Sequence, residues 1–139
     1  MHVIDAADKV AGRLASQVAK LLLKGDEITI INAEKAVISG NPYYTIELFE
    51  QKTQRGDPYH GPHYPKTPDG MLRRIIRGML PRKTARGRDA FKKLAVYAGV
   101  PASLQGNERK DIGARSRGSG KYISLGLLAE RLTGRVYGG

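Results

Sequence analysis

The sequence predicts an α/β fold: a three-layer α/β/α arrangement with a small, mainly parallel sheet of about four strands, plus a basic irregular arm. Three observations carry that expectation. Short β-branched, apolar runs alternate with segments of helical periodicity from the first residues onward. The first strand, helix and second strand fit within about 30 residues, the span of a βαβ unit, which favours parallel pairing. Residues 102–121, "ASLQGNERKDIGARSRGSGK", break both periodicities with glycine, polar and basic residues.

Taken in order, "HVIDA" (2–6) reads as a short buried strand. Asp8 then stands where it can cap a helix running to about Lys24, with Leu14, Val18, Leu21 and Leu22 on one face and Gly25 as its stop. "EITIIN" (27–32) is the second strand, and "AVIS" (36–39) a short third, closed by Gly40 and Pro42. Pro42 opens a helix through residue 54, with Ile46 and Phe49 turned inward. "RGDPYHGPHYPKTP" (55–68) holds four prolines and two glycines and excludes a regular element. Thr67 caps the next helix, about 68–80, with Pro68 at its first position and Asp69 near its positive end.

That helix carries Met71, Leu72, Ile75, Ile76, Met79 and Leu80 as one apolar stripe, and Arg73, Arg74 and Arg77 off it. Its last turn, Met79 and Leu80, is expected to pin the helix end to the core. Pro81 ends the helix, lacking an N–H and disfavouring helical geometry before it. Thr84 caps a following helix to about Leu94, with Phe91 and Leu94 inward and Arg88, Lys92 and Lys93 outward. "LAVYAG" (94–99) is the next strand, and "SLGLLAERL" (124–132) a closing amphipathic helix with Gly134 after it.

The chain has 139 residues, which suits one domain, and no cysteine, which excludes disulfides and thiolate metal sites and fits a reducing cytoplasm. Asp5 and Asp8 interrupt the apolar run a signal peptide would need, and Leu21-Leu22-Leu23 is far too short to cross a membrane. The net charge of +11 is concentrated. Residues 1–70 hold 8 basic and 9 acidic residues, whereas residues 71–93 hold 9 basic residues and only Asp89. A solvated charged face explains most charge runs. This density points instead to a polyanion, nucleic acid before an anionic membrane surface.

Enzyme chemistry finds less support. A dinucleotide-binding turn needs three glycines, and "DAADKVAGRLA" offers only Gly12, inside the helix. "GARSRGSGKY" resembles a phosphate-binding loop, but Arg115 stands where the first glycine belongs and Tyr122 where Ser or Thr would reach magnesium. His60 and His63 lie three apart in a proline-rich loop with only Asp57 nearby, too few ligands for a metal. No cofactor is expected, and no serine lies in a nucleophile elbow. A nucleotide-dependent α/β enzyme with a basic substrate site remains the alternative from another class.

The nucleic-acid reading places Arg73, Arg74 and Arg77 on a helix anchored by its other face. Arg82, Lys83, Arg86, Arg88, Lys92 and Lys93 continue the charge around the Pro81 corner. Arginine can contact two phosphate oxygens at once. Tyr59, His60, His63 and Tyr64 stand where they can stack on unpaired bases, and Arg115, Arg117 and Lys121, set among glycines, read as an arm that orders against RNA. No helix-turn-helix, zinc finger or RNA-recognition signature is present, which favours shape-reading of folded RNA over base-reading of DNA.

The segments "VIDAADKVAGRLAS", "INAEKAVISGNPYY", "RGDPYHGP", "RRIIRGMLPRKTARGRDAFKKLAVYAGVP" and "SLGLLAERLTG" together resemble the universal L-thirteen family of large-subunit ribosomal proteins, in order and over nearly the whole chain. "RGMLP" followed by "KTARG" is the specific part. The chain is similar to the archaeal and eukaryotic branch: "GVPASLQGNERKD" stands where bacterial members carry a His-Pro-His element. It also lacks the long C-terminal helical extension of eukaryotic members, which implies an archaeal source. The resemblance implies a single α/β domain over residues 1–139 that binds large-subunit ribosomal RNA beside neighbouring ribosomal proteins. It implies an early role in subunit assembly and no catalysis, with no small-molecule substrate and no membrane partner. It assigns RNA contacts to Arg73, Arg74, Arg77, Arg82, Lys83 and Arg86, and matches Arg55, Tyr59 and His60 to family positions. The contacts of residues 102–121 rest on composition alone.

Overall fold

A computed structural model describes residues 2–54, 66–81, 83–106, 109 and 121–133. Strand β1 (His2–Asp5) leads into helix α1 (Ala11–Leu23), which buries Ala11, Leu14, Ala15, Val18, Ala19 and Leu22. Those positions recur at three- and four-residue intervals, so one stripe of the helix faces the core. Fully burying one such leucine or valine contributes about 1.5–3 kcal/mol. Gly25 ends the helix as the sequence indicates, at φ +101° with its N–H on the Leu22 carbonyl. Asp8, however, does not cap α1. Val10 occupies that position without a side-chain cap, while Asp8 sits in a left-handed turn, φ 59°, and donates its N–H to the Lys35 carbonyl. The cause lies outside the helix: Val10 bridges to Val37, which holds the chain extended up to Val10.

Strand β2 (Ile28–Ile31) is buried along its whole length and pairs with β1 in parallel, His2 opposite Ile28. Asn32, at φ 57°, and a 3₁₀ turn over Ala33–Lys35 then divert the chain. Strand β3 (Val37–Ser39) therefore does not join the parallel sheet. Helix α2 (Pro42–Gln54) follows, burying Phe49 and half-burying Ile46.

Helices α3 (Pro68–Gly78) and α4 (Ala85–Lys92) precede strand β4 (Leu94–Val96), which lies parallel to β2 with Ile28 opposite Leu94. Strand β5 (Tyr122–Ser124), which the pattern of the sequence does not reveal, pairs antiparallel with β3. Helix α5 (Leu125–Thr133) closes the described fold, its first turn capped by the Ser124 hydroxyl accepting from the Leu127 N–H. The architecture is thus α/β, with a three-stranded parallel sheet ordered β1-β2-β4 and a separate antiparallel pair, in place of one four-stranded sheet.

The open edge of β1 is met by the arm. Arg109 bridges to Val3 in parallel fashion and donates to Asp5 Oδ2 at 2.8 Å. Asp5 Oδ1 also accepts from the Ala7 N–H at 2.9 Å and from Asn32 Nδ2 at 3.1 Å. Burial raises the Asp5 pKa and is the largest single influence. The Ala7, Asn32 and Arg109 contacts together outweigh it, so the carboxyl lies below its ordinary value of 3.8. Arg109 itself is therefore tied to the edge of β1. The other described arm residues before it form a 3₁₀ turn, Ala102–Leu104, and its end.

Helix α3 is the element on which the site rests. Met71, Leu72 and Ile76 are fully buried against α1, β4 and α5, and Ile75 is half-buried. Leu80 beyond its end is buried, but Met79 is 44% exposed. Leu80 alone therefore pins the helix end. Met79 is the C-cap residue, where the turn has already swung the stripe away from the core.

Two outcomes follow from this packing. Ile76→Ala should lower the unfolding free energy by about 2–5 kcal/mol in urea melts, whereas Met79→Ala should stay within about 0.5 kcal/mol; equal losses would return Met79 to the core. For Asp5, a lowered folded pKa means that the ionised carboxylate stabilises the fold above the ordinary value of 3.8, and the benefit fades as pH falls through the lower folded value. Asp5→Asn should be less stable than the parent at neutral pH, with the gap closing in acid. A gap independent of pH would remove Asp5 as a stabilising carboxylate.

Candidate nucleic-acid interface

The corner between α3 and α4 is built from small residues and caps. Thr67 caps α3, its hydroxyl accepting from the Gly70 N–H at 3.3 Å, with Pro68 at the first helical position. Pro81 stops the chain three residues after the helix. Its carbonyl accepts from both the Thr84 N–H (3.1 Å) and the Thr84 hydroxyl (2.9 Å). The same hydroxyl accepts from the Gly87 N–H at 3.2 Å and so caps α4. Both caps are those read from the sequence. Gly87 is needed for a different reason: a Cβ there would overlap the Pro81 carbonyl. The first turn of α4 folds back onto the Pro81 carbonyl so closely only because position 87 has no side chain.

The two helices enclose an open groove of about 510 Å³ lined by Gly70, Arg73, Arg74, Arg77, Gly87, Arg88, Phe91 and Lys92. Arg73 and Arg77 are four residues apart on α3, as are Arg88 and Lys92 on α4, so each helix turns one basic edge towards the groove. Five cations thus line one cavity, and no carboxylate is among its lining residues. The Arg73 guanidinium carbon lies 4.5 Å from the centroid of the Phe91 ring, well inside cation–π range. Phe91, which the helical pattern turns inward, is half-buried: part of its ring packs on the core and part forms a groove wall.

The remaining sequence candidates divide. Arg86 Nη2 donates to the Leu23 carbonyl at 3.2 Å and Lys93 Nζ to the Gly25 carbonyl at 3.4 Å. Both therefore sit at the C-terminal end of α1, where a positive charge complements the helix dipole. Lys83 is exposed in the turn between α3 and α4. Lys121 is exposed before β5, and its carbonyl accepts from the Gly40 N–H at 2.8 Å. Arg55, Tyr59, His60, His63, Tyr64, Arg82, Arg115 and Arg117 lie outside the described residues.

Sequence reasoning missed Phe91 as a groove residue and Gly87 as a steric requirement. The signal for Phe91 was its place three residues after Arg88 and one before Lys92, on the basic edge of α4. Gly87 gave no signal in periodicity, because its neighbour is the Pro81 carbonyl, which meets it only once the turn has folded back.

At the sheet end, where α/β proteins commonly bind nucleotides, the turn from β1 to α1 carries exposed Asp8. Glu34, buried just beyond β2, accepts from the Gly99 N–H at 2.7 Å. Among the described residues no group of three His, Cys, Asp or Glu is placed to hold a metal, and no helix is long and apolar enough to cross a membrane.

The family model for Ribosomal protein L13 matches residues 1–103, which include the whole α3–α4 groove. Curated relatives described as large ribosomal subunit protein uL13 extend the similarity further. The protein from Methanosarcina barkeri is 51% identical over 136 residues, spanning 95% of this chain and 97% of its own. That from Methanopyrus kandleri is 47% identical over 142 residues, spanning 99% and 89%. That from Archaeoglobus fulgidus is 48% identical over 134 residues, spanning 94% and 86%.

The close approach at the corner has a direct test. Gly87→Ala must push the first turn of α4 from the Pro81 carbonyl, at a cost of about 1–3 kcal/mol for overpacking. Thermal melts should show the loss. An alanine variant as stable as the parent would mean that the corner relaxes freely.

Proposed function

The chain belongs to the ribosomal protein L13 family, and from that premise we propose that it is a structural component of the large ribosomal subunit, gripping ribosomal RNA through the α3–α4 groove. The whole chain acts as one RNA-binding domain and joins the subunit early in assembly, in the cytoplasm, beside neighbouring ribosomal proteins. Its relatives are named as ribosomal proteins rather than enzymes, and the chain is a structural ribosomal protein of archaeal type.

The observation that carries the RNA contact is the groove: Arg73, Arg74, Arg77, Arg88 and Lys92 converge with no carboxylate among its lining residues. Five like charges gathered in one cavity repel one another. A polyanion relieves that repulsion and releases its own condensed counterions on binding. The guanidinium groups suit phosphate, since each can donate two parallel hydrogen bonds to one phosphate group. Folding also holds the helices rigidly, through the buried α3 stripe and the two threonine caps, so little freedom is lost when RNA arrives.

Further RNA contacts are assigned to Tyr59 and His60 and to Arg115, Arg117 and Lys121. They raise the number of phosphates engaged to some six to ten, for which affinity falls by about 10³ to 10⁵ between 50 and 200 mM salt.

Measured binding to large-subunit ribosomal RNA should show that salt dependence. The double variant Arg77→Glu, Arg88→Glu changes two exposed side chains and should fold normally by circular dichroism. It should lose about two units or more of the logarithmic salt slope and fail to co-sediment with the large subunit in high salt. Binding that ignores salt, or a double variant that still co-sediments, would defeat the reading.

A further inference from the structure

We propose that the α3–α4 groove receives one unpaired nucleotide of the bound RNA, its base stacked against the Arg73–Phe91 pair and its flanking phosphates held by Arg77, Arg88 and Lys92. This rests on the RNA-binding reading above and goes beyond it, because neutralising a duplex backbone requires only surface charge.

Shape is the first argument. The cationic residues line a shallow, open concavity of about 510 Å³, room for a single projecting nucleotide. A paired A-form helix presents a broad, shallow minor groove and outward phosphates, and nothing on it projects far enough to fill such a space. A splayed nucleotide does.

The second argument is the wall chemistry. Arg73 lies 4.5 Å from the centre of the Phe91 ring, so a guanidinium and an aromatic ring form one side of the groove. Unstacked bases are held by stacking on such rings and guanidinium planes. Phe91 is half-buried, with part of its ring left to the groove.

Third, the lining side chains that can hydrogen-bond are arginine and lysine, which donate and do not accept. Their match among bases is an edge with adjacent acceptors. Guanine offers one, O6 beside N7, and an unpaired cytosine another, O2 beside N3, whereas the corresponding edge of adenine sets a donor beside N7. The wall therefore favours guanine or cytosine over adenine, and guanosine is the probe chosen for the test.

The test uses the full chain and three RNA hairpins of equal length at low salt: fully paired, with one bulged guanosine, and with an abasic residue at the bulge. Fluorescence anisotropy should show the guanosine bulge bound about ten- to a hundredfold more tightly than either other hairpin. Arg73→Lys keeps the charge but removes the planar group, and Phe91→Leu keeps an apolar side chain but removes the ring. Each should bring the guanosine bulge to the abasic value; Phe91→Leu should leave the paired hairpin unchanged, while Arg73→Lys, which also removes a bidentate phosphate contact, should weaken the bulge more than the paired hairpin, with thermal melts confirming that both variants are folded. Equal affinity for the guanosine and abasic bulges in the parent chain would overturn the nucleotide site while leaving RNA binding intact. Failure to bind any hairpin would remove the RNA reading and this proposal with it.

Discussion

The Pro81 carbonyl and the bare α-carbon of Gly87 lie against each other, and the interface depends on that contact. It fixes how the first turn of α4 sits on the connection from α3, and both helices carry their basic edges to one groove from there. A hydrogen-bonded hinge holds it in place: Thr84 donates twice to that carbonyl while capping α4 through Gly87. Bringing five cations together is unfavourable in the unbound protein. The offsetting terms are local to the same helices: Met71, Leu72, Ile76 and Leu80 buried beneath α3, two threonine caps, and a guanidinium set over an aromatic ring. Hydrophobic packing beneath and positive charge above are two faces of one short element.

Helix α4 shows the same economy in eight residues. One edge, Arg88 and Lys92, lines the groove. Another, Arg86 with Lys93 at the C-cap, reaches the Leu23 carbonyl at the end of α1 and the Gly25 carbonyl just beyond it. Positive charge on that second edge is attractive within the fold, because it meets the negative end of a helix. The local excess of charge in the sequence therefore has two destinations, and only some of it is available to a partner.

Much of this was legible from residue order. Thr67-Pro68 and Thr84 announced their caps because capping is a local matter of a few adjacent residues. Ile76 and its companions announced a buried face because helical period is local too. What was hidden depends on neighbours distant in sequence. Met79 has the right spacing for the core, but spacing does not say where a helix stops turning with it. Strands of three residues, such as β3 and β5, are too short for alternation to show, and the pairing of β3 with β5 joins segments more than eighty residues apart. Asp8 looked like a cap until Val10 was found bridged to Val37. Phe91 satisfied an inward pattern and still left part of its ring to the groove. The family resemblance supplied the RNA, which periodicity and charge alone left as one polyanion among several.

The bridge from Arg109 to Val3 bears on the order in which the chain is made. Synthesis delivers β1 first, yet its outer edge gains this partner only when residue 109 emerges, and β3 gains its antiparallel partner only with Tyr122–Ser124. The earliest strand thus waits for some of the latest residues, and contacts of long sequence separation close slowly. During that interval a half-built sheet is exposed on a nascent chain rich in positive charge. A protein of the translation machinery is in this way itself a demanding product of translation, complete as a fold only when nearly all of it has been read out.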